Sequence, residues 1–129
     1  FEEYQRWVAE ESTVIVQIEH IQAVKNLDAI LSVEHVDGFI VGPYDLSGSL
    51  GVPGQFSHPD MLEALDSIKD YIKKGIKPFG FHVVDPNVND ALEKFQEGYS
   101  FLAFGVDFLF LGGMCRNTLG SLREAVKGK

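Results

Sequence analysis

The chain alternates. Four short apolar stretches, rich in β-branched and aromatic residues, each give way to a helical pattern, and no two of them are joined by a hairpin turn. They are "TVIVQIE" at residues 13–19, "VDGFIVG" at 36–42, "PFGFHVV" at 78–84 and "SFLAFGVD" at 100–107. Their starts are roughly 20 to 40 residues apart, the size of a βα unit. Short strands that are apolar on both sides, with helices between them, form a parallel sheet with helices outside it. The pattern excludes a helical bundle and predicts an α/β fold.

The intervening segments carry apolar stripes at helical spacing. "IQAVKNLDAILS" places Ile21, Val24, Leu27, Ile30 and Leu31 on one face, and "DMLEALDSIKDYIKKG" does the same with Met61, Leu62, Leu65, Ile68 and Ile72. Gly75 is the expected C-cap of the latter. Residues 1–11 read as the end of an amphipathic helix, 88–98 as a further helix and 115–129 as the last one. The Pro- and Gly-punctuated stretch at 43–59 reads as a long loop. No linker divides the chain, so residues 1–129 are expected to be a single domain. Four βα units leave two architectures, a small open sheet or half of an eight-stranded barrel, since whole barrels run to about 250 residues. A half barrel has two exposed strand edges that another copy would have to cover.

The formal net charge is −8, from 19 acids against 11 Lys and Arg. That balance argues against nucleic acid, which needs clustered cations, and against an anionic membrane surface. It leaves room for a small anion at a local site. Cys115 is the single cysteine, so no disulfide can form within the chain. A reducing, cytoplasmic setting is expected. The longest apolar runs are too short to span a bilayer.

In parallel α/β folds ligands bind at the carboxyl ends of the strands. Glu19 and Asp45 stand just past the first two strands and should be neighbours at the mouth. No Lys or Arg lies near either in sequence. Two such carboxylates repel unless a proton or a cation intervenes, and a hard divalent ion such as Mg²⁺ takes one or two of them and leaves the rest to water and substrate oxygens. The alternative is that Asp45 N-caps a short turn and Glu19 serves a helix dipole. Gly42 would let a ligand approach the backbone, so that the amides of Tyr44 and Asp45 could receive a carboxylate; the alternative is that Gly42-Pro43 is an ordinary loop start. His82, among Phe79, Phe81 and Val83, is expected to be a packed or hydrogen-bonded core histidine. Asp85 and Asp107 are expected to be loop caps, and His20, His35 and His58 to sit at the surface. Ser47 and Ser49 lack a His/Asp partner in sequence. Gly112-Gly113, ahead of the last helix, could form an anion nest.

The blocks "VIVQIEHIQAVKNLDAIL" and "VDGFIVGPYDLSGSLG", followed by "KPFGFHVVDPN" and "GYSFLAFGVDFLFLGG", resemble the HpcH/HpaI aldolase family, the metal- and pyruvate-dependent aldolases of the phosphoenolpyruvate/pyruvate superfamily. The resemblance covers nearly the whole chain. It implies a (β/α)8 TIM barrel of which this chain, beginning at Phe1, is the C-terminal half. It implies that Glu19 and Asp45 bind the divalent metal (Mg²⁺, Mn²⁺ or Co²⁺), that Gln17 contacts substrate, and that the Tyr44 backbone amide receives the pyruvate carboxylate. Tyr44 is larger than the Ala found in many members. The implied reaction is reversible cleavage of a 2-keto-3-deoxy-4-hydroxy acid to pyruvate and an aldehyde, with the metal as Lewis acid. The catalytic His and the enolate-stabilising Arg of the family belong to the N-terminal half, so no catalytic residue is expected within these 129 positions. The resemblance also implies a homo-oligomer, commonly a hexamer with exchange of the last helix. Two other readings are a citrate-lyase-type cleavage of an acyl-CoA thioester and a non-catalytic half barrel that binds metal and self-associates.

Overall fold

The structure, a computed structural model, describes residues 1–127. Four strands, β1 (Ile15–Ile18), β2 (Gly38–Val41), β3 (Phe79–Val83) and β4 (Phe101–Phe104), form one sheet in sequence order, each parallel to the next. β1 and β4 are therefore its two edges among the described residues. Each strand is shorter than its sequence block by two to four residues, because only the hydrogen-bonded centre of each block joins the ladder.

The helices are α1 (Glu2–Glu11), α2 (Ile21–Lys25), α3 (Leu27–Leu31), α4 (Pro43–Ser49), α5 (Pro59–Lys74), α6 (Val88–Gln96) and α7 (Asp107–Lys127). Three differ from the sequence expectation. The segment after β1 is two short helices, broken at Asn26, whose side chain turns back to donate to the Gln22 carbonyl at 2.7 Å. The expected loop after β2 begins as α4, with Pro43 in its first turn, where a missing N–H costs nothing. The last helix starts at Asp107 rather than Cys115. Gly112 and Gly113 therefore lie inside α7, where their amides serve the helix, and they form no anion nest. The expected end of this helix at Gly128 and Lys129 lies outside the described residues. Gly75 does cap α5, at φ 62°.

Strand alternation sorts the sheet into two faces. Ile18, Phe39, Val41, Phe79, Phe81 and Val83 point to the helices and are buried with Leu27 and Leu31 of α3 and Met61, Leu65 and Ile68 of α5. Tyr99 completes this core, edge-on to Phe79 and Phe81. The opposite face carries Ile15, Gln17, Ile40, Gly80, His82 and Phe101. No helix among the described residues covers it, and apart from Gly80, on which the Phe101 ring lies, these residues are exposed or half-buried. The strands are thus apolar on both sides, as expected, but this chain buries only one side.

Candidate active site

Glu19 is the first residue beyond β1 and Gly42 the first beyond β2, joined by a hydrogen bond from Gly42 N to Ile18 O at 3.1 Å. The Gln17 and Glu19 side chains lie over Gly42: a Cβ added there would sit 2.6 Å from Gln17 Nε2 and 3.3 Å from Glu19 Oε2. Glycine is what lets both side chains rest on the strand end. Gln17 Nε2 donates to Glu19 Oε2 at 2.7 Å, fixing the carboxylate while leaving Oε1 without a protein donor among the described residues.

The N-cap alternative for Asp45 does not hold. His20 caps α2, its Nδ1 accepting from Gln22 N at 3.1 Å, and Glu19 stands one residue before that cap, where the helix dipole also favours a carboxylate. Gly42 is the N-cap of α4, and Asp45 sits inside the first turn, exposed, with no hydrogen bond or ion pair to its carboxylate among the described residues. The first intrahelical bond of α4 runs from Leu46 N to Gly42 O at 3.0 Å, so the N–H groups of Tyr44 and Asp45 precede it and have no acceptor within the helix.

The loops that carry the acids are tied together. Ser49 Oγ donates to Leu46 O at 2.7 Å and accepts from Ile21 N at 3.0 Å, joining α4 to the start of α2. Ser47 is fully buried; its Oγ donates to Tyr44 O at 2.7 Å and accepts from Gly54 N at 2.9 Å. Both hydroxyls tie these loops together. Tyr44 is exposed and meets Phe56 edge-on, with ring centroids 4.9 Å apart.

The donor chemistry suits a hard cation. Two carboxylates, one oriented by an amide and one unengaged, present oxygen donors beside a backbone with no side chain in the way. No group of three or more His, Cys, Asp and Glu side chains with metal-binding geometry occurs among the described residues, so an ion held by Glu19 and Asp45 would complete its shell with water or ligand oxygens.

The remaining residues singled out in the sequence are accounted for. Asp107 Oδ1 accepts from Phe108 N at 2.7 Å. Asn87, not Asp85, caps α6, its Oδ1 accepting from Asn89 N at 2.9 Å. His58 caps α5 and His35 is exposed at φ 66°. Cys115 is free and exposed. Arg6 lies on α1, and Arg116 and Arg123 on α7, none at a strand end. Beside the mouth, a groove of about 500 Å³ runs outward between α5 and α6 from Tyr44, His82 and Asp85 to Glu97, which bridges Lys94 at 2.9 Å and Lys69 at 3.2 Å. His82, expected to be a packed or hydrogen-bonded core histidine, is half-buried on the uncovered face and hydrogen-bonded, its Nε2 3.4 Å from Gly105 O.

No helix among the described residues is long and apolar enough to cross a membrane. Comparison with known proteins is unambiguous. Residues 1–112 match the HpcH/HpaI aldolase/citrate lyase family. Over 106 residues the chain is 39% identical to a 2-keto-3-deoxy-L-rhamnonate aldolase of Klebsiella pneumoniae subsp. pneumoniae, covering 82% of this chain and 39% of that protein. Crystal structures of an HpcH/HpaI aldolase from Desulfitobacterium hafniense DCB-2 and of an HpcH/HpaI aldolase/citrate lyase family protein from Burkholderia cenocepacia J2315 superpose with TM-scores of 0.79 and 0.83, at 29% and 27% identity. Each match covers 94% of this chain and, respectively, 48% and 46% of the solved one. The chain therefore spans about two-fifths of the curated relative and just under half of each solved structure. The parallel βα order is that of this TIM-barrel family, and the chain belongs to the HpcH/HpaI aldolase/citrate lyase family.

Proposed function

We propose that this chain supplies the cation- and keto-acid-holding part of an aldolase that reversibly splits a 2-keto-3-deoxy-4-hydroxy acid into pyruvate and an aldehyde. The observation that carries the reading is the arrangement around Gly42. Glu19, oriented by Gln17, lies on a strand end that has no side chain of its own, beside a helix whose first turn presents the unengaged carboxylate of Asp45. Family membership and the aldolase relatives support the lyase chemistry.

In this reading Glu19 and Asp45 hold Mg²⁺, Mn²⁺ or Co²⁺ through their carboxylate oxygens. A divalent ion bound there supplies Lewis-acid stabilisation of the charge that develops on the keto acid as the carbon–carbon bond breaks. Gln17 orients Glu19 and stands within reach of the ligand. The free N–H groups of Tyr44 and Asp45 receive the carboxylate of pyruvate, or of an oxalate-like analogue, at the start of α4. The Tyr44 contact is through the backbone, so the large side chain does not compete with it. The proton-transfer His and the Arg that neutralises the enolate come from elsewhere in the barrel. The working state in this proposal is a cytoplasmic homo-oligomer, a hexamer that exchanges α7 between subunits.

The test is calorimetric titration of the intact gene product with Mn²⁺ and then pyruvate, together with assays of pyruvate release from 2-keto-3-deoxy acids. Glu19→Gln and Asp45→Asn are each expected to lower Mn²⁺ affinity at least tenfold and to abolish metal-dependent pyruvate binding. Cleavage of acyl-CoA thioesters without pyruvate release would replace this reading with the citrate-lyase one. Mn²⁺ binding without any turnover would leave the non-catalytic half barrel.

A further inference from the structure

Among the described residues, the uncovered face of the sheet carries one titratable side chain beyond the proposed cation site, His82 of β3. We propose that His82 is a specificity-determining residue that hydrogen-bonds a hydroxyl group on the aldehyde half of the substrate. The inference rests on the aldolase reading above and extends it to the acceptor.

Position comes first. Ile18 pairs with Val41, and Ile40 with Gly80, so continuing the register sets Glu19, Gly42 and His82 in one row across the strand ends. Adjacent strands lie about 4.8 Å apart. His82 is thus one strand spacing from Gly42 and two from Glu19. A keto acid held by its first carbons at Glu19, Tyr44 and Asp45 is long enough to reach one strand further with its last carbons.

Surroundings come second. A core histidine is normally wedged among bulky neighbours. In its row His82 is flanked by Gly42, over which the Gln17 and Glu19 side chains lie, and by Ala103, its partner on β4, which has only a methyl group. Over Gly80, the preceding residue on this face, lies the Phe101 ring. The imidazole is half-buried on the uncovered face, next in the row to the proposed cation site, and the end of β3 borders the open groove beside Tyr44.

Protonation geometry comes third. The ring contact within the chain is Nε2 to Gly105 O, at 3.4 Å. That carbonyl is well fixed, since Gly105 N donates to Val83 O at 2.8 Å and the residue adopts φ 71°. An Nε2–H donating to Gly105 O leaves the Nδ1 lone pair as an acceptor. No protein donor engages it among the described residues. A hydroxyl can donate to that lone pair, whereas a purely aliphatic aldehyde cannot and would leave it unpaired, and that asymmetry is a source of discrimination.

The experiment measures kcat/KM in the aldol direction, with pyruvate and Mn²⁺, for two three-carbon acceptors, glyceraldehyde and propanal. It compares the intact gene product with its His82→Leu and His82→Asn variants. His82→Leu should lower the value for glyceraldehyde about tenfold or more and leave that for propanal within about twofold. His82→Asn, which keeps an acceptor near the Nδ1 position, should recover part of the loss. Equal losses for both acceptors, or no change in either, would overturn the proposal. Should the leucine variant fail to fold, the asparagine variant decides: it must still favour glyceraldehyde over propanal. Mn²⁺ and pyruvate titrations of each variant should match the wild type, because His82 is not among the cation or pyruvate contacts. A wild-type protein that neither binds pyruvate nor turns over would sink the aldolase reading and this inference with it. An active wild type with unselective variants would sink the inference alone.

Discussion

Gly42 is the residue on which the site turns. Its missing side chain is the space that Gln17 and Glu19 occupy, so Gly42→Ala must displace one of them. Residues that orient a metal-ligating carboxylate typically matter 10- to 100-fold in metal affinity. Gly42→Ala is expected to weaken Mn²⁺ binding by roughly that factor while the circular dichroism spectrum stays unchanged, read by calorimetry on the variant. Tyr99 poses the opposite problem. It is 2% exposed and its hydroxyl is buried without a hydrogen-bond partner among the described residues. Burial, with a smaller push from the Glu97 carboxylate, raises its phenol well above the ordinary tyrosine range. Tyr99→Phe removes an unsatisfied polar atom and should leave stability unchanged or raise it by about 1 kcal/mol in urea unfolding. The sign of the pH effect follows from the raised value. The unfolded chain ionises this phenol near pH 10 and the folded chain does not, so stability falls as pH rises above about 10. That fall should be shallower in Tyr99→Phe. The positions of Glu19 and Asp45 beyond β1 and β2 were legible in the sequence, because each follows an apolar strand block. What Gln17 does to Glu19 was not, since a side-chain rotamer sets it, and neither was the contact of His82 to Gly105, which lies beyond a different strand.

At the level of elements, capping fixes where helices stop and therefore where the strand ends point. Gly75 ends α5 at φ 62°, with open space where a Cβ would go. Gly75→Ala thus carries a backbone penalty and no clash, expected at about 1 kcal/mol. A lower urea midpoint with an unchanged m-value would show it. Helices α5 and α6 were readable from their stripes because each has one buried face over several turns. α4 was read as loop because Pro43, Gly48 and Ser49 are turn residues by composition. Here Pro43 starts a helix and the serines bond back to its carbonyls. α7 was read too short, since the apolar run at 108–111 and the pair Gly112-Gly113 resemble a strand and a turn more than a helix start. In the structure they continue a helix whose first turn closes on the Val106 carbonyl, which accepts from Leu109 N and Phe110 N.

For the molecule as a whole, burial is one-sided. The sheet has two open edges at β1 and β4, Ile15 is exposed on its uncovered face, and α7 shows Phe108, Leu111, Met114, Leu119, Leu122 and Val126 to solvent. So much unpartnered apolar surface favours association. Residues 1–129, prepared by themselves, should sediment as concentration-dependent oligomers, and a monomer persisting at high concentration would contradict this. Parallel strand order was legible because it follows from the absence of hairpins. Which face remains open was not, because a strand apolar on both sides does not say which partner covers it. Ser49 adds a mechanical property to this half-covered sheet. By gripping Ile21 N and Leu46 O together it acts as a strut between the loops carrying Glu19 and Asp45. In the proposed cation site the gap between the two acids would then be a fixed gauge. Ions of different radius would be accommodated there by changing their count of bound waters, not by spreading the protein. Tolerance of several cations would then be a matter of hydration, with a backbone that stays rigid through the exchange.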